Sequence, residues 1–280
     1  VSASWPRFPD DNPMVVNGHR TSVSRIHAGP VQTGTAVVFV HSALLDRHAW
    51  SRTVYRLAEL LPPAGLNATL VSYDLRGHGA AATEPIASID QLAADLIAVT
   101  QQVGAARTHV VGLSLGGAVA QAAAVAAPEQ FASLALLGTS TKFPRDVMDE
   151  RAARGRDEGV PAQVKPTLDR WVSSPTAADE VNEYLRQALA NTSPARWSES
   201  WQALGRFDVT ETLDGVPVPI LVLAGSRDTA SPPAAMELIA KLAPHSRLEY
   251  LEAAHLSALE RPAEVAAHLA DHLIAVDGRP

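Results

Sequence analysis

The sequence predicts an α/β protein in which a mostly parallel central sheet is flanked by helices and interrupted by a helical insertion. Three observations carry this. Short apolar runs with little polar alternation recur at residues 36–40, 68–73, 109–112, 134–137 and 219–224, the pattern of strands buried on both faces. Helix-length stretches separate most of these runs, which is the strand–helix–strand repeat that parallel pairing requires. Between residues 139 and 207 the pattern changes to polar helices with no convincing strand.

The elements can be justified in order. Residues 15–27 hold Asn17-Gly18 between two strand-like pieces, a strong hairpin signal that predicts an antiparallel start. A helix over 50–61 stops at Pro62-Pro63, one over 89–103 stops at Gly104, and one over 116–127 stops at Pro128; proline and glycine are the expected terminators. A last strand at 248–251 precedes a closing helix at 262–274. The 139–207 stretch contains Trp171, Trp197 and Trp201, three of the five tryptophans.

Composition excludes several classes of protein. Of the 280 residues, 46% are apolar and 19% charged, with 17 glycines and 20 prolines, a globular profile rather than a disordered or collagen-like one. The formal charge of -7 and a pI near 5.8 argue against nucleic acid as the partner. With no cysteine, disulfides, thiolate metal sites and a cysteine nucleophile are excluded. No apolar run approaches the ~18 residues needed to cross a bilayer, so no membrane association is expected. Residues 1–13 have no signal-peptide type of run, and a cytoplasmic location is the default expectation, with a removed leader left open.

The chemistry starts at Gly112-Leu113-Ser114-Leu115-Gly116. Gly-x-Ser-x-Gly between a buried strand and a helix reads as a nucleophile elbow, a tight turn in which the serine backbone is strained and only glycine fits at either flank. Read as structure alone, the same residues are a glycine-rich turn; the strand before and the helix after favour the elbow. A serine hydroxyl needs a base to take its proton and a carboxylate to orient that base. Asp228, in Gly225-Ser226-Arg227-Asp228, and His255, in Ala253-Ala254-His255, each follow a predicted strand. They lie at the carboxyl edge where α/β sheets bind ligands, and in the chain order Ser, Asp, His.

The remaining histidines and acids fit less well. His19, His27 and His109 lie in or beside strands and are expected away from that edge, and His268 and His272 are expected on an exposed helix face rather than at a metal. Asp208 and Asp214 precede a strand instead of following it. The oxyanion would take N–H groups from Leu115 and from Ala43, in the loop after the early strand, where His41 is expected to brace backbone. Because Ser114 precedes the helical stretch while Asp228 and His255 follow it, residues 1–138 and 208–280 form one core domain, with 139–207 as its lid.

These residues resemble the α/β-hydrolase superfamily over about residues 14–274. The resemblance rests on His41-Ser42-Ala43 with Trp50, on Asp74-Leu75-Arg76-Gly77-His78-Gly79, on the elbow at Ser114, on Gly225 to Asp228, and on His255 followed by Glu260 and Pro262. The sequence around His255, the Asp169-Arg170-Trp171 stretch and Phe207-Asp208 look like 3-oxoadipate enol-lactonases. The loop from His41 to Asp46 looks more like that of bacterial aryl esterases and cofactor-free perhydrolases. The resemblance implies the α/β-hydrolase fold, a Ser114–Asp228–His255 triad acting on a small-molecule ester or lactone, and no metal or cofactor. A serine rather than a carboxylate at the elbow excludes haloalkane dehalogenases and epoxide hydrolases.

A carbon–carbon bond hydrolase on the same triad and a non-catalytic receptor are the alternatives, and oligomeric state is left open. Residues 141–207 hold 10 Lys plus Arg and 10 Asp plus Glu, which suits a carboxylate-bearing substrate but equally a solvated surface of i, i+4 ion pairs. Ser42, Trp171 and Trp197 are the candidate substrate contacts, and the tryptophans alternatively pack the lid onto the core.

Overall fold

The structure, a computed structural model, describes residues 4–31, 34–173 and 179–278. Residues 1–3 of the predicted N-terminal arm and 174–178 of the predicted lid therefore lie outside the described residues. Eight strands form one sheet: β1 (Asn12–Val16), β2 (His19–Ala28), β3 (Thr35–Val40), β4 (Ala68–Tyr73), β5 (Arg107–Leu113), β6 (Ser133–Leu137), β7 (Ile220–Gly225) and β8 (Ser246–Leu251). Their spatial order is β1-β2-β4-β3-β5-β6-β7-β8. The first two strands are antiparallel additions, and every pairing from β4 to β8 is parallel. At the β1–β2 turn Asn17 and Gly18 both take positive φ, 44° and 82°, the geometry that makes Asn-Gly favourable there.

Sequence dictates which strands are central. β3, β6 and β7 are buried at every position, which only uniformly apolar or small residues tolerate. β8, at the edge, is largely part-exposed. Helices cover both faces. In α2 (Ile89–Val103), Ile89, Leu92, Ala93, Leu96 and Val99 form the buried stripe at the spacing of an amphipathic helix. Ser88 caps its start by accepting from the Gln91 N–H, and Gly104 ends it in the left-handed region at φ 72°.

The other core helices are α1 (Ser51–Leu60), α3 (Leu115–Ala126), α8 (Pro233–Leu242), α9 (Ser257–Glu260) and α10 (Pro262–Asp277). The elements predicted above include no helix between the strands at 219–224 and 248–251; α8 stands there, and its first residue is Pro233, whose missing N–H costs nothing at that position.

Four helices stand between β6 and β7: α4 (Arg145–Asp157), α5 (Val160–Trp171), α6 (Asp179–Ala190) and α7 (Pro194–Gly205). The two ends of this segment meet in an isolated antiparallel bridge between Lys142 and Asp208. Polar tethers join the helices to the sheet side. Tyr184 Oη donates to Asp46 (2.8 Å), the Ile86 N–H donates to Glu199 (2.8 Å), and Arg206 donates to Ala87 O (2.9 Å).

Two histidine expectations fail. His19 opens β2, and because β2 runs antiparallel to β4, its start lies at the carboxyl edge, where it meets Arg76 at 2.8 Å. His272 is buried rather than on an exposed face, because this side of α10 packs toward the sheet. Among the described residues no group of His, Asp and Glu could hold a metal, and no helix is long and apolar enough to cross a membrane.

Candidate active site

Ser114 occupies the turn between β5 and α3 with φ 55° and ψ −113°, a conformation that costs a non-glycine residue of the order of 1–3 kcal/mol. The flanking glycines make the turn sterically possible. A Cβ on Gly112 would lie 2.4 Å from Gly116 O, and one on Gly116 would lie 2.1 Å from Val40 O and 2.8 Å from His41 O. The second clearance also brings the end of β3, and the loop that follows it, against the start of α3. Thr139, just past β6, donates to Ser114 O (2.8 Å) and holds the strained peptide from below.

The three residues predicted to act together are brought together. Ser114 Oγ lies 2.9 Å from His255 Nε2, and His255 Nδ1 lies 2.9 Å from Asp228 Oδ2. With Nδ1–H donating to the carboxylate, Nε2 presents its lone pair to the serine hydroxyl. The other Asp228 oxygen accepts from the N–H groups of Ala230 (2.7 Å) and Ser231 (2.8 Å), so the carboxylate is fixed by its own loop after β7. All three side chains are buried, Ser114 least so at 6% exposure.

The His255 loop is held by Glu260, which accepts from the Ala254 N–H (2.9 Å) and also from the Ser173 N–H at the end of α5. The sequence reading carried Glu260 only as a motif position; its bonding role needed the tertiary structure. The Leu256 N–H donates to Trp171 O (3.0 Å), and the Trp171 ring sits 6.1 Å from the His255 ring.

Leu115 follows Ser114 and opens α3, and Ala43 lies in the loop after β3. Among the described residues, neither N–H is spent on a hydrogen bond within the chain. The loop is rigid for reasons no local motif reveals. Asp74, fully buried, accepts from the Arg47 N–H (2.8 Å), Arg47 Nη1 (2.6 Å) and the Ala80 N–H (2.8 Å), tying the 42–47 loop to the turn after β4. His41 braces backbone, donating from Nδ1 to Ser42 O (2.8 Å) and accepting at Nε2 from the Leu75 N–H (3.0 Å). Burial pushes its pKa down, in keeping with a neutral brace.

The candidate substrate contacts separate. Trp171 neighbours His255. Ser42 is completely buried and its hydroxyl has no hydrogen-bond partner. Trp197 packs among the lid helices. Its Nε1 donates to Arg151 O (2.7 Å), its ring fills the space a Cβ on Gly155 would need, and it meets Trp201 edge to face at 5.7 Å. The packing of α7 on α4 accounts for these contacts, in line with the packing alternative stated for the tryptophans. Trp201, not selected from the sequence, stands between Trp197 and Trp171, 6.5 Å from the latter.

A twisted, mostly parallel sheet carrying a Ser–His–Asp line at an elbow defines a class. The chain belongs to the alpha/beta hydrolase family, whose model matches residues 37–268. Among its relatives, a 3-oxoadipate enol-lactonase 2 from Acinetobacter baylyi is 32% identical over 69% of this chain and 74% of its own length. A pimeloyl-[acyl-carrier protein] methyl ester esterase from Chromobacterium violaceum is 30% identical over 71% of this chain and 82% of its own. Among solved structures, the enol-lactonase from Burkholderia xenovorans LB400 superposes with a TM-score of 0.84 at 26% identity, covering 94% of this chain and 99% of that one.

Proposed function

We propose that this hydrolase cleaves a carboxylic ester or lactone through an acyl-enzyme on Ser114. The observation that carries the reading is the unbroken line from Ser114 Oγ through His255 to Asp228, with both gaps at 2.9 Å, on a serine held at φ 55°. The Ser114 hydroxyl attacks the carbonyl carbon while its proton passes to His255 Nε2. Asp228 holds the imidazole orientation and stabilises its cation. The tetrahedral oxyanion lies against the N–H groups of Ala43 and Leu115, each of order 3–4 kcal/mol to the transition state. Collapse breaks the carbon–oxygen bond, and the leaving alkoxide or enolate takes the proton from His255. Water, deprotonated by the same nitrogen, then releases the acid. No step calls on a metal or cofactor.

Helices α4 to α7 serve as a lid over this edge in the proposal, spanning residues 139–207 with the core on either side. Trp171, beside the His255 ring, and Ser42, with its unused hydroxyl, are the proposed substrate contacts, with Trp197 as a brace. The enol-lactonase and esterase relatives support the ester and lactone class.

Two measurements test the reading. A fluorophosphonate probe should label Ser114 stoichiometrically; an unlabelled, folded protein would point instead to a ligand receptor. In a panel of p-nitrophenyl acetate, simple lactones and a vinylogous diketone, turnover of the first two is expected. Cleavage of the diketone alone would replace the reading with carbon–carbon hydrolysis.

A further inference from the structure

The loop that carries Ala43 does little to hold its own shape. Within residues 42–46 the backbone bonds to itself once, from the Leu45 N–H to Ser42 O at a long 3.4 Å. Leu44, next to Ala43, is buried and takes φ 64°. That left-handed conformation costs a leucine of the order of 1–3 kcal/mol and persists only where its surroundings impose it. One restraint is the Asp74–Arg47 tie already described, which reaches the loop from the turn after β4.

Two further restraints come from elements outside the sheet. Asp46 Oδ1 accepts from Tyr184 Oη of α6 (2.8 Å) and from the His48 N–H (2.9 Å), so one carboxylate oxygen fastens the end of the loop to that helix. Burial, with Asp46 alongside, pushes the Tyr184 pKa up, and the phenol keeps the proton it donates. The second restraint is Trp5, in the segment before β1, whose Nε1 donates to His48 O (2.7 Å). The Phe8 N–H of the same segment donates to His48 Nδ1 (3.1 Å). Trp5 is itself fixed, because its ring stacks on that of Tyr184 at 5.2 Å and 20°, and Arg52 of α1 lies 4.6 Å from its ring centre. Arg52 also pairs with Glu180 on α6.

The two donors thus converge on residues three and five positions past Ala43. A hydrogen bond to a charged acceptor contributes about 1.5–3 kcal/mol, the same size as the strain at Leu44. Losing one such bond therefore shifts the balance between the held loop and a relaxed one. An N–H that turns with the relaxing peptide no longer meets the position where the oxyanion forms, and that misplacement is felt in the transition state more than in the bound substrate.

We propose that Tyr184 and Trp5 are positioning residues for the oxyanion loop: their donor groups, acting through Asp46 and His48, hold Leu44 in its left-handed form and keep the Ala43 N–H aimed at the reacting carbonyl. The assignment rests on the reading of Ala43 as an oxyanion donor. It gives the segment before β1 and helix α6 a part in the rate, although neither supplies a residue to the Ser114–His255–Asp228 line.

The test uses the full chain and two readouts: steady-state hydrolysis of p-nitrophenyl acetate, with Ser114→Ala as the blank, and binding of phenylboronic acid, whose tetrahedral serine adduct places an oxygen in the oxyanion site. Tyr184→Phe and Trp5→Phe each delete one donor and keep an aromatic ring. Tyr184→Phe should lower kcat about tenfold and weaken phenylboronic acid by a similar factor, with KM within about twofold of wild type. Trp5→Phe should act in the same direction, by about threefold. Asp46→Asn, which keeps an acceptor oxygen, should retain most of the rate that Asp46→Ala loses. Three results would each overturn the assignment alone. Wild-type kcat in Tyr184→Phe beside a lowered melting temperature would make the tether purely structural. A raised KM at unchanged kcat would place Tyr184 in substrate access, and a lowered kcat with wild-type boronate affinity would place it in another step. Absence of Ser114-dependent turnover in the wild type would instead overturn the hydrolase reading, and the assignment with it. Should Asp46→Ala fail to fold, the two phenylalanine variants still decide the matter.

Discussion

Ser133, His109 and Asp277 form a line at the amino edge of the sheet much as Ser114, His255 and Asp228 do at the carboxyl edge. Ser133 Oγ lies 2.8 Å from His109 Nδ1, and His109 Nε2 lies 3.2 Å from Asp277 Oδ2. The residue types match and the distances are similar, yet His109 Nε2 makes no hydrogen bond, unlike either ring nitrogen of His255, and the surroundings are opposed. Ser133 opens a β-strand in ordinary register with His109 and is fully buried. Ser114 is bent to φ 55° at the mouth of a helix, between glycines that let backbone crowd in.

The carboxylates differ as well. Asp228 is held by two backbone N–H groups of its own loop. Asp277 instead accepts from Arg107 (2.8 Å) and Thr35 (3.1 Å), clamping the end of α10 to β5 and β3. Against the opposing effect of burial, His109 and Arg107 hold its carboxyl well below the usual carboxylate range. A base and an orienting acid therefore do not by themselves make a nucleophile. The serine must also protrude, and unpaired N–H groups must face the atom it attacks.

Paired substitutions at the two edges can break this comparison. The largest effect is expected at the serines: Ser114→Ala should lower ester hydrolysis by of the order of 10⁴-fold or more with the fold retained. Ser133→Ala should leave the rate unchanged and cost about 1 kcal/mol of stability. Parallel p-nitrophenyl acetate assays and thermal melts read both, and comparable rate losses at the two serines would dissolve the distinction.

Next come the acids. Asp228→Asn should reduce kcat about 10⁴-fold by disturbing the imidazole orientation. Asp277→Asn should spare kcat and destabilise the protein by about 1–3 kcal/mol, since Arg107 loses a charged acceptor.

The smallest effect sharpens the amino edge alone. Burial, with His109 and Arg247 nearby, lowers the His272 pKa to about 4, against about 6.5 in an unfolded chain. Between those values the unfolded chain takes up a proton that the native protein refuses. Stability should therefore fall as pH drops from about 6.5 to about 4, by at most about 1.4 kcal/mol per pH unit from this group. His272→Gln should flatten that part of the profile in urea melts, and an unchanged slope would show that His272 is not the group responsible.

Much of this molecule is legible locally. Val-rich runs such as 36–40 announce central strands because burial on both faces tolerates nothing polar, and Asn17-Gly18 announces its turn because both residues must take positive φ. Ser114, Asp228 and His255 could be picked out because each follows a strand at a fixed offset. What escaped reading depends on partners distant in sequence. His19 reached the carboxyl edge because β2 pairs antiparallel with β4. Trp197 became a brace because Gly155, 42 residues earlier on α4, leaves room for its ring.

The sequence by itself determined the fold class, the order of the strands along the chain, the elbow and the three residues of its line, since all of these rest on short-range sterics and burial periodicity. Only the tertiary structure decided that a second Ser–His–Asp set stands at the opposite edge of the sheet, and what Asp74 and Glu260 fasten. Those outcomes depend on which buried polar atoms find partners across the chain, and no local pattern encodes whether Arg47 meets Asp74, 27 positions on, or Ser173 meets Glu260, 87 positions on.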